Sequence, residues 1–99
     1  MIENGRFHQT IKVEICINSD THVKQSVQAA YLGGADTIEL CGQMALDGLT
    51  PLPEHIAIAR EAFADRPGLM VMIRPRGGDF CYSGSEIEEM LLGVETAVS

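Results

Sequence analysis

Basic residues are scarce in this 99-residue chain: seven lysines and arginines stand against fourteen aspartates and glutamates, for a formal net charge of −7. A surface so biased repels nucleic acid and anionic lipid, and neither is expected as a partner. No apolar stretch approaches the ~20 residues that a membrane span needs. The first residues, Met-Ile-Glu-Asn-Gly-Arg, lack the apolar centre of a secretory signal, so no such signal is expected. Cysteine is sparse as well. Three residues, Cys16, Cys41 and Cys81, make an odd count without CxxC spacing, which argues against a disulfide framework and predicts reduced thiols in the cytoplasm. What remains is ordinary for a folded domain: 45% hydrophobic and 21% charged residues, enough apolar material to exclude disorder.

Strand and helix signals alternate along the chain. Residues 12–17, 37–41 and 69–75 read as strands, the first strictly alternating and rich in β-branched side chains. Asp20 or Thr21 is a candidate cap for a first helix carrying Val23, Val27, Ala30 and Tyr31, which Gly33-Gly34 stops. Pro53 suits the first turn of a second helix lined by Ile56, Ala59 and Phe63 and ended by Arg66-Pro67-Gly68. Ser83/Glu86 and Ser85/Glu88 are overlapping capping boxes ahead of a third helix striped by Ile87, Met90, Leu91, Val94 and Val98. Repeated βα units predict an α/β fold with a parallel sheet. Three such strands leave both sheet edges open, and the last helix runs to Ser99 without a stop. The reading is therefore a tail over residues 1–10 and three βα units over 11–99, the first part of a TIM (β/α)8-type barrel of roughly 250 residues.

Side chains alternate between the faces of a strand. Val13, Ile15, Ile17, Ile38, Leu40, Leu69, Val71 and Ile73 form an aliphatic face for the helices. Glu14, Cys16, Glu39, Cys41 and Arg74 fall on the other face, toward a barrel interior, with Arg74 as the counter-charge that buried carboxylates require. Cys16 and Cys41, at equivalent positions on neighbouring strands, form a soft pair suited to Cu(I) or Zn²⁺, to which Met44 or Met72 can add a thioether. The same thiols also suit plain burial as small hydrophobes. Glu14, Glu39 and Arg74 are candidate catalytic groups, with a carboxylate as general base and the arginine on an anionic substrate. They equally suit a structural ion-pair network. Arg74, Arg76, Gly77 and Gly78 form a candidate anion site, or a tight turn in which Asp79 pairs with Arg76. The motif is neither GxGxxG nor a P-loop, so no nucleotide cofactor is expected. Residues 42–52 make a long loop and thus a functional candidate. His8, His22 and His55 read as surface residues, and Cys81 as incidental.

Four segments carry a resemblance. Glu-Ile-Cys-Ile-Asn-Ser at 14–19, Gly-Gly-Ala-Asp-x-Ile-Glu-Leu-Cys at 33–41, Gly-Leu-Thr-Pro at 48–51 and Val-Met-Ile-Arg-Pro-Arg-Gly-Gly-Asp-Phe-x-Tyr-Ser at 71–83 resemble the CutC family, the copper homeostasis proteins. The resemblance implies a TIM-type barrel, a cytoplasmic location, a homo-oligomer, and Cu(I) held by strand-end cysteines that match Cys16 and Cys41. Glu14, Glu39, Arg74, Arg76 and Asp79 match its polar rim. The chain departs from the family pattern at Leu46-Asp47-Gly48, where a Glu-Gly-Gly is usual, and in a longer segment between Cys16 and Gly33. The function implied is copper homeostasis. The alternative is a barrel enzyme in which Arg74 and Arg76 hold a small anion while Glu14 or Glu39 moves a proton.

Overall fold

The computed structural model describes residues 11–98. In chain order it contains strand β1 (Glu14–Asn18), helix α1 (Val23–Leu32), strand β2 (Thr37–Cys41), a 3₁₀ turn (Met44–Leu46), helix α2 (Pro53–Ala62), strand β3 (Leu69–Val71) and helix α3 (Gly84–Val98). The strands form one parallel sheet in the order β1-β2-β3. This is the α/β pattern that alternating strand and helix signals predict. Tail residues 1–10 lie outside the described residues, His8 among them.

The core lies between the sheet and helices α1 and α2. Ile17, Ile38 and Leu40 meet Val23, Val27, Ala30, Ile56, Ala59 and Phe63, with Tyr31, Leu69 and Val71 packed around them. Tyr31 stands edge-on to Phe63, their centroids 6.1 Å apart. The Arg66 guanidinium lies over the Tyr31 ring at 4.1 Å and donates to the carbonyls of Tyr31 and Ala35, tying the end of α1 to the loop before β3. That loop passes so close to β2 that a Cβ on Gly68 would lie 2.6 Å from the Asp36 carbonyl oxygen, and its φ is +104°. Only glycine meets both demands.

Local structure departs from expectation in four places. β1 starts at Glu14 and runs to Asn18, one residue past the predicted end. At α1 neither Asp20 nor Thr21 caps. His22 occupies the N-cap position with φ 51° and no side-chain bond. The Asp20 carboxylate instead accepts the Gln43 N–H at 2.8 Å, drawn across to the loop after β2. β3 is shorter than residues 69–75, because β2 turns away at Gly42 and leaves Arg74 without a strand partner. Thr50 replaces that partner, its hydroxyl accepting the Arg74 N–H at 2.7 Å and its N–H donating to the Arg74 carbonyl at 3.0 Å.

The fourth departure concerns α3. Ser83 and Glu86 form a reciprocal capping box, with Ser83 N–H to Glu86 at 2.8 Å and Glu86 N–H to the Ser83 hydroxyl at 3.2 Å. Ser85 already lies within the helix and caps nothing. The helix lies with Gly93 toward Ile73 and Thr50. Glu86, Met90, Gly93 and Ala97 face inward, while Ile87, Leu91, Val94 and Val98 are exposed. Of the two histidines described, His22 is exposed as expected. His55 is half-buried, with a shielded Nδ1 that has no hydrogen-bond partner among the described residues.

Two substitutions test this packing. Phe63 is fully buried, and Phe63→Ala should cost about 3–5 kcal/mol in urea unfolding. Gly68→Ala should destabilise by more than about 1 kcal/mol, since it adds steric overlap to a positive φ. A change within about 0.5 kcal/mol for either would contradict the packing described.

Candidate metal centre

The register of the sheet fixes the site. Cys16 stands opposite Glu39, and Asn18 opposite Cys41. The two cysteines are thus offset by two residues rather than level, as the sequence suggested. They still share a face, and the diagonal brings their sulfurs to 4.0 Å. The Cys41 thiol also points at Glu39 Oε1, 3.8 Å away. Cys16, Glu39 and Cys41 each offer one ligand atom within 4.8 Å of the others. Cys16 is exposed, Glu39 half-buried and Cys41 buried, so the cluster opens to solvent on the β1 side.

Protonation in the cluster is uneven. Burial, then the neighbouring Cys16, then the Glu39 carboxylate push the Cys41 thiol up to about 12. Each of these disfavours a thiolate at that position. At neutral pH Cys41 therefore carries its proton, and a soft cation must displace it, which couples binding to proton release.

Arg74 does not supply a counter-charge to Glu14 or Glu39. Alternation sets the face of a strand, but register sets position along it. Glu39 lies beside Met70, four residues before Arg74, and Glu14 lies two rungs earlier. At ~3.3 Å per residue these separations are about 13 and 20 Å. Glu14 instead accepts the Thr37 hydroxyl at 2.7 Å. The Arg74 guanidinium is buried and donates to the carbonyls of Leu46, Asp47 and Gly48 at 3.2–3.3 Å and of Gly78 at 3.1 Å. It ties the long loop after β2 to the loop after β3, with Phe80 5.2 Å from its charge.

Arg76 closes the second loop. It pairs with Asp79 at 3.3 Å, as the turn reading anticipated, and with Glu86 at 2.6 Å. It also donates to the carbonyls of Gly77, Asp79 and Cys81. Glu86 and Asp79 together hold its charge and raise its pKa. In return the Asp79 carboxyl is held below its usual range by the Cys81 N–H and then Arg76, and that of Glu86 by Arg76 and then Ser83. Gly77 and Gly78 thus present carbonyls to the two arginines. Cys81 is exposed in this loop, its N–H on Asp79.

Three residues matter to the site in roles that the sequence did not assign to them. Thr50 anchors the backbone of Arg74. Asp20 holds the start of the 3₁₀ turn. Gly48, with φ +91°, lies against Cys41: a methyl group there would be 3.5 Å from the Cys41 sulfur. The segment Gly-Leu-Thr-Pro at 48–51 marked Gly48 and Thr50, but nothing local to it revealed Arg74 or Cys41 as their partners.

Comparison with known proteins decides the family. The sequence pattern of the CutC family matches residues 11–99. The chain belongs to the CutC family. A CutC family protein from Porphyromonas gingivalis is 43% identical over 89 residues, which are 90% of this chain and 34% of that protein. Another from Bacteroides fragilis is 45% identical over 84 residues, 85% of this chain and 32% of the relative. The chain thus spans about a third of the length of these curated relatives. A solved structure from Streptococcus agalactiae, provisionally described as copper homeostasis protein CutC, superposes with a TM-score of 0.73 at 31% identity, over 89% of this chain and 40% of that one. At the loop position where the resemblance points to a departure, Asp47 is exposed at φ 65°.

Two measurements test the site's physics. Arg74→Gln strips donors from four carbonyls and should cost about 3 kcal/mol in urea unfolding; a loss below about 0.5 kcal/mol would contradict the role given to Arg74. For Cys41, the folded-state pKa lies above the ordinary thiol value of 9.0, so the folded chain holds this proton more tightly than the unfolded one. The resulting stability is complete below about pH 9 and is lost as pH rises toward about 12. The stability difference between the parent and Cys41→Ala should therefore shrink across that interval, read as urea midpoints. A constant difference would refute the proton linkage.

Proposed function

We propose that this chain serves copper homeostasis by binding Cu(I) as cargo through Cys16 and Cys41. The carrying observation is the pair of sulfurs 4.0 Å apart on one face of a parallel sheet, with Glu39 alongside. The donor chemistry fits. Thiolates are soft ligands of the kind that Cu(I) takes. Two metal–sulfur bonds of about 2.3 Å each can span such a separation. Binding would release the protons of both thiols, with the Glu39 carboxylate placed to receive the one on Cys41. Family membership and the description given to the Streptococcus agalactiae relative support the same reading.

The sequential parallel order β1-β2-β3, with helices over one face, supports a place as the first three units of a TIM-type (β/α)8 barrel. The same reading includes a cytoplasmic location, where thiols stay reduced, and a homo-oligomer. No described helix is long and apolar enough to cross a membrane. The enzymatic alternative, with a small anion on Arg74, Arg76, Gly77 and Gly78 and proton transfer by Glu14 or Glu39, has weaker support. Both arginines are hydrogen-bonded within the chain.

The test is an anaerobic Cu(I) titration in competition with bathocuproine disulfonate. The parent should bind one equivalent, and the Cys16→Ser/Cys41→Ser double variant should lose at least about tenfold in affinity. Parental affinity in the double variant would overturn the proposal.

A further inference from the structure

We propose that Met44 supplies a third, thioether donor to the Cys16–Cys41 pair and makes the site selective for Cu(I) over Zn²⁺. This rests on the reading of the thiol pair as a metal site and adds a ligand to it. Two bonds of about 2.3 Å reach about 4.6 Å when collinear. Sulfurs 4.0 Å apart therefore subtend a bent angle of roughly 120° at a shared ion, and a bent pair leaves room for a third ligand.

The gap beside Gly48 shows which group can fill that place. A methyl group at Gly48 would lie 3.5 Å from the Cys41 sulfur and 3.9 Å from the Met44 sulfur. Both sulfurs thus border one small space that the glycine leaves open. The backbone under Met44 is fixed from several directions. The Asp20 carboxylate holds the Gln43 N–H, the Asp47 N–H closes the turn on the Met44 carbonyl at 3.0 Å, and Arg74 clamps the carbonyls of Leu46, Asp47 and Gly48. The side chain itself is exposed and flexible, so its sulfur can swing onto the pair without moving the turn. Arg74 thereby acts as a positioning residue for this donor.

Two donors of opposite hardness now flank the thiols. Glu39 offers a carboxylate oxygen and Met44 a thioether sulfur. Zn²⁺ accepts carboxylate ligands readily, whereas Cu(I) prefers sulfur. Charge favours the same division. Cu(I) held by two thiolates carries one net negative charge once both protons have left the sulfurs. A neutral thioether adds none, while a carboxylate would add a second in a chain already at −7.

The experiment uses the 99-residue chain, its Met44→Leu variant, which keeps the bulk and removes the sulfur, and Glu39→Gln. Cu(I) affinity is measured by bathocuproine disulfonate competition, Zn²⁺ affinity by a chromophoric chelator, and the sulfur count by X-ray absorption at the copper edge. Met44→Leu should weaken Cu(I) binding by about tenfold, reduce the sulfur count from three to two, and leave Zn²⁺ affinity unchanged. Glu39→Gln should weaken Zn²⁺ more than Cu(I). Unchanged Cu(I) affinity and two sulfurs in both parent and Met44→Leu would overturn the role of Met44 while leaving the thiol pair intact. Parental affinity in Cys16→Ser/Cys41→Ser would overturn both.

Discussion

Cys16 faces Glu39 across the β1–β2 pairing and Cys41 faces Asn18, and from that two-residue offset everything chemical in this chain follows. A shift of one residue would turn one cysteine toward the helices and leave a lone thiol on the other face. The register is held by the aliphatic face: Ile17 stands beside Leu40, both buried, and neither can be moved to the opposite side without opening the core. Core packing and donor geometry are thus one constraint seen from two sides of the same sheet.

Arg74 extends that constraint into the loops. A buried guanidinium surrounded by backbone carbonyls is a structural clamp, and its charge is shared among the oxygens of residues 46–48 and Gly78. The clamp lies where β2 has ended and β3 has lost its partner. The loop after β2 is thereby pressed back over Cys41, which helps to bury that thiol and keep it protonated. A neighbouring arginine, Arg76, performs a separate task at the entrance to α3, with carboxylates as its partners. Two arginines separated only by a proline serve two different junctions.

Much of this was legible from periodicity. Pro53 opening α2, Gly34 ending α1 and the Ser83–Glu86 box are local signals, and each operates as read, whereas of the aliphatic strand face Ile17, Ile38 and Leu40 are buried but Val13 and Ile15 stay exposed, with no described helix covering them. The α/β order and the family were legible too, from motifs spread over most of the chain. Position along a strand was not. Alternation places Glu14, Glu39 and Arg74 on one face but cannot say that they lie far apart on it. The α3 stripe was missed for a related reason: the apolar spacing marks a helix, but which of its faces packs inward is set by its neighbours, and here Ile87, Leu91, Val94 and Val98 are exposed. Asn18 and Gly48 lay in segments that the resemblance marked, but their place beside Cys41 was not legible until the register and loop were known.

The outward turn of α3 has a colloidal consequence. Ile87, Leu91, Val94 and Val98 present an oily strip, and Ile11, Val13 and Ile15 present another at the opposite margin of the sheet. Between two such molecules, attraction across these strips is opposed by the mutual repulsion of their anionic surfaces. That repulsion reaches about 30 Å at 0.01 M salt but only about 10 Å at 0.1 M. Added electrolyte therefore removes the barrier and leaves the stickiness untouched, so dilute buffer, rather than saline, is the medium in which these molecules keep their distance.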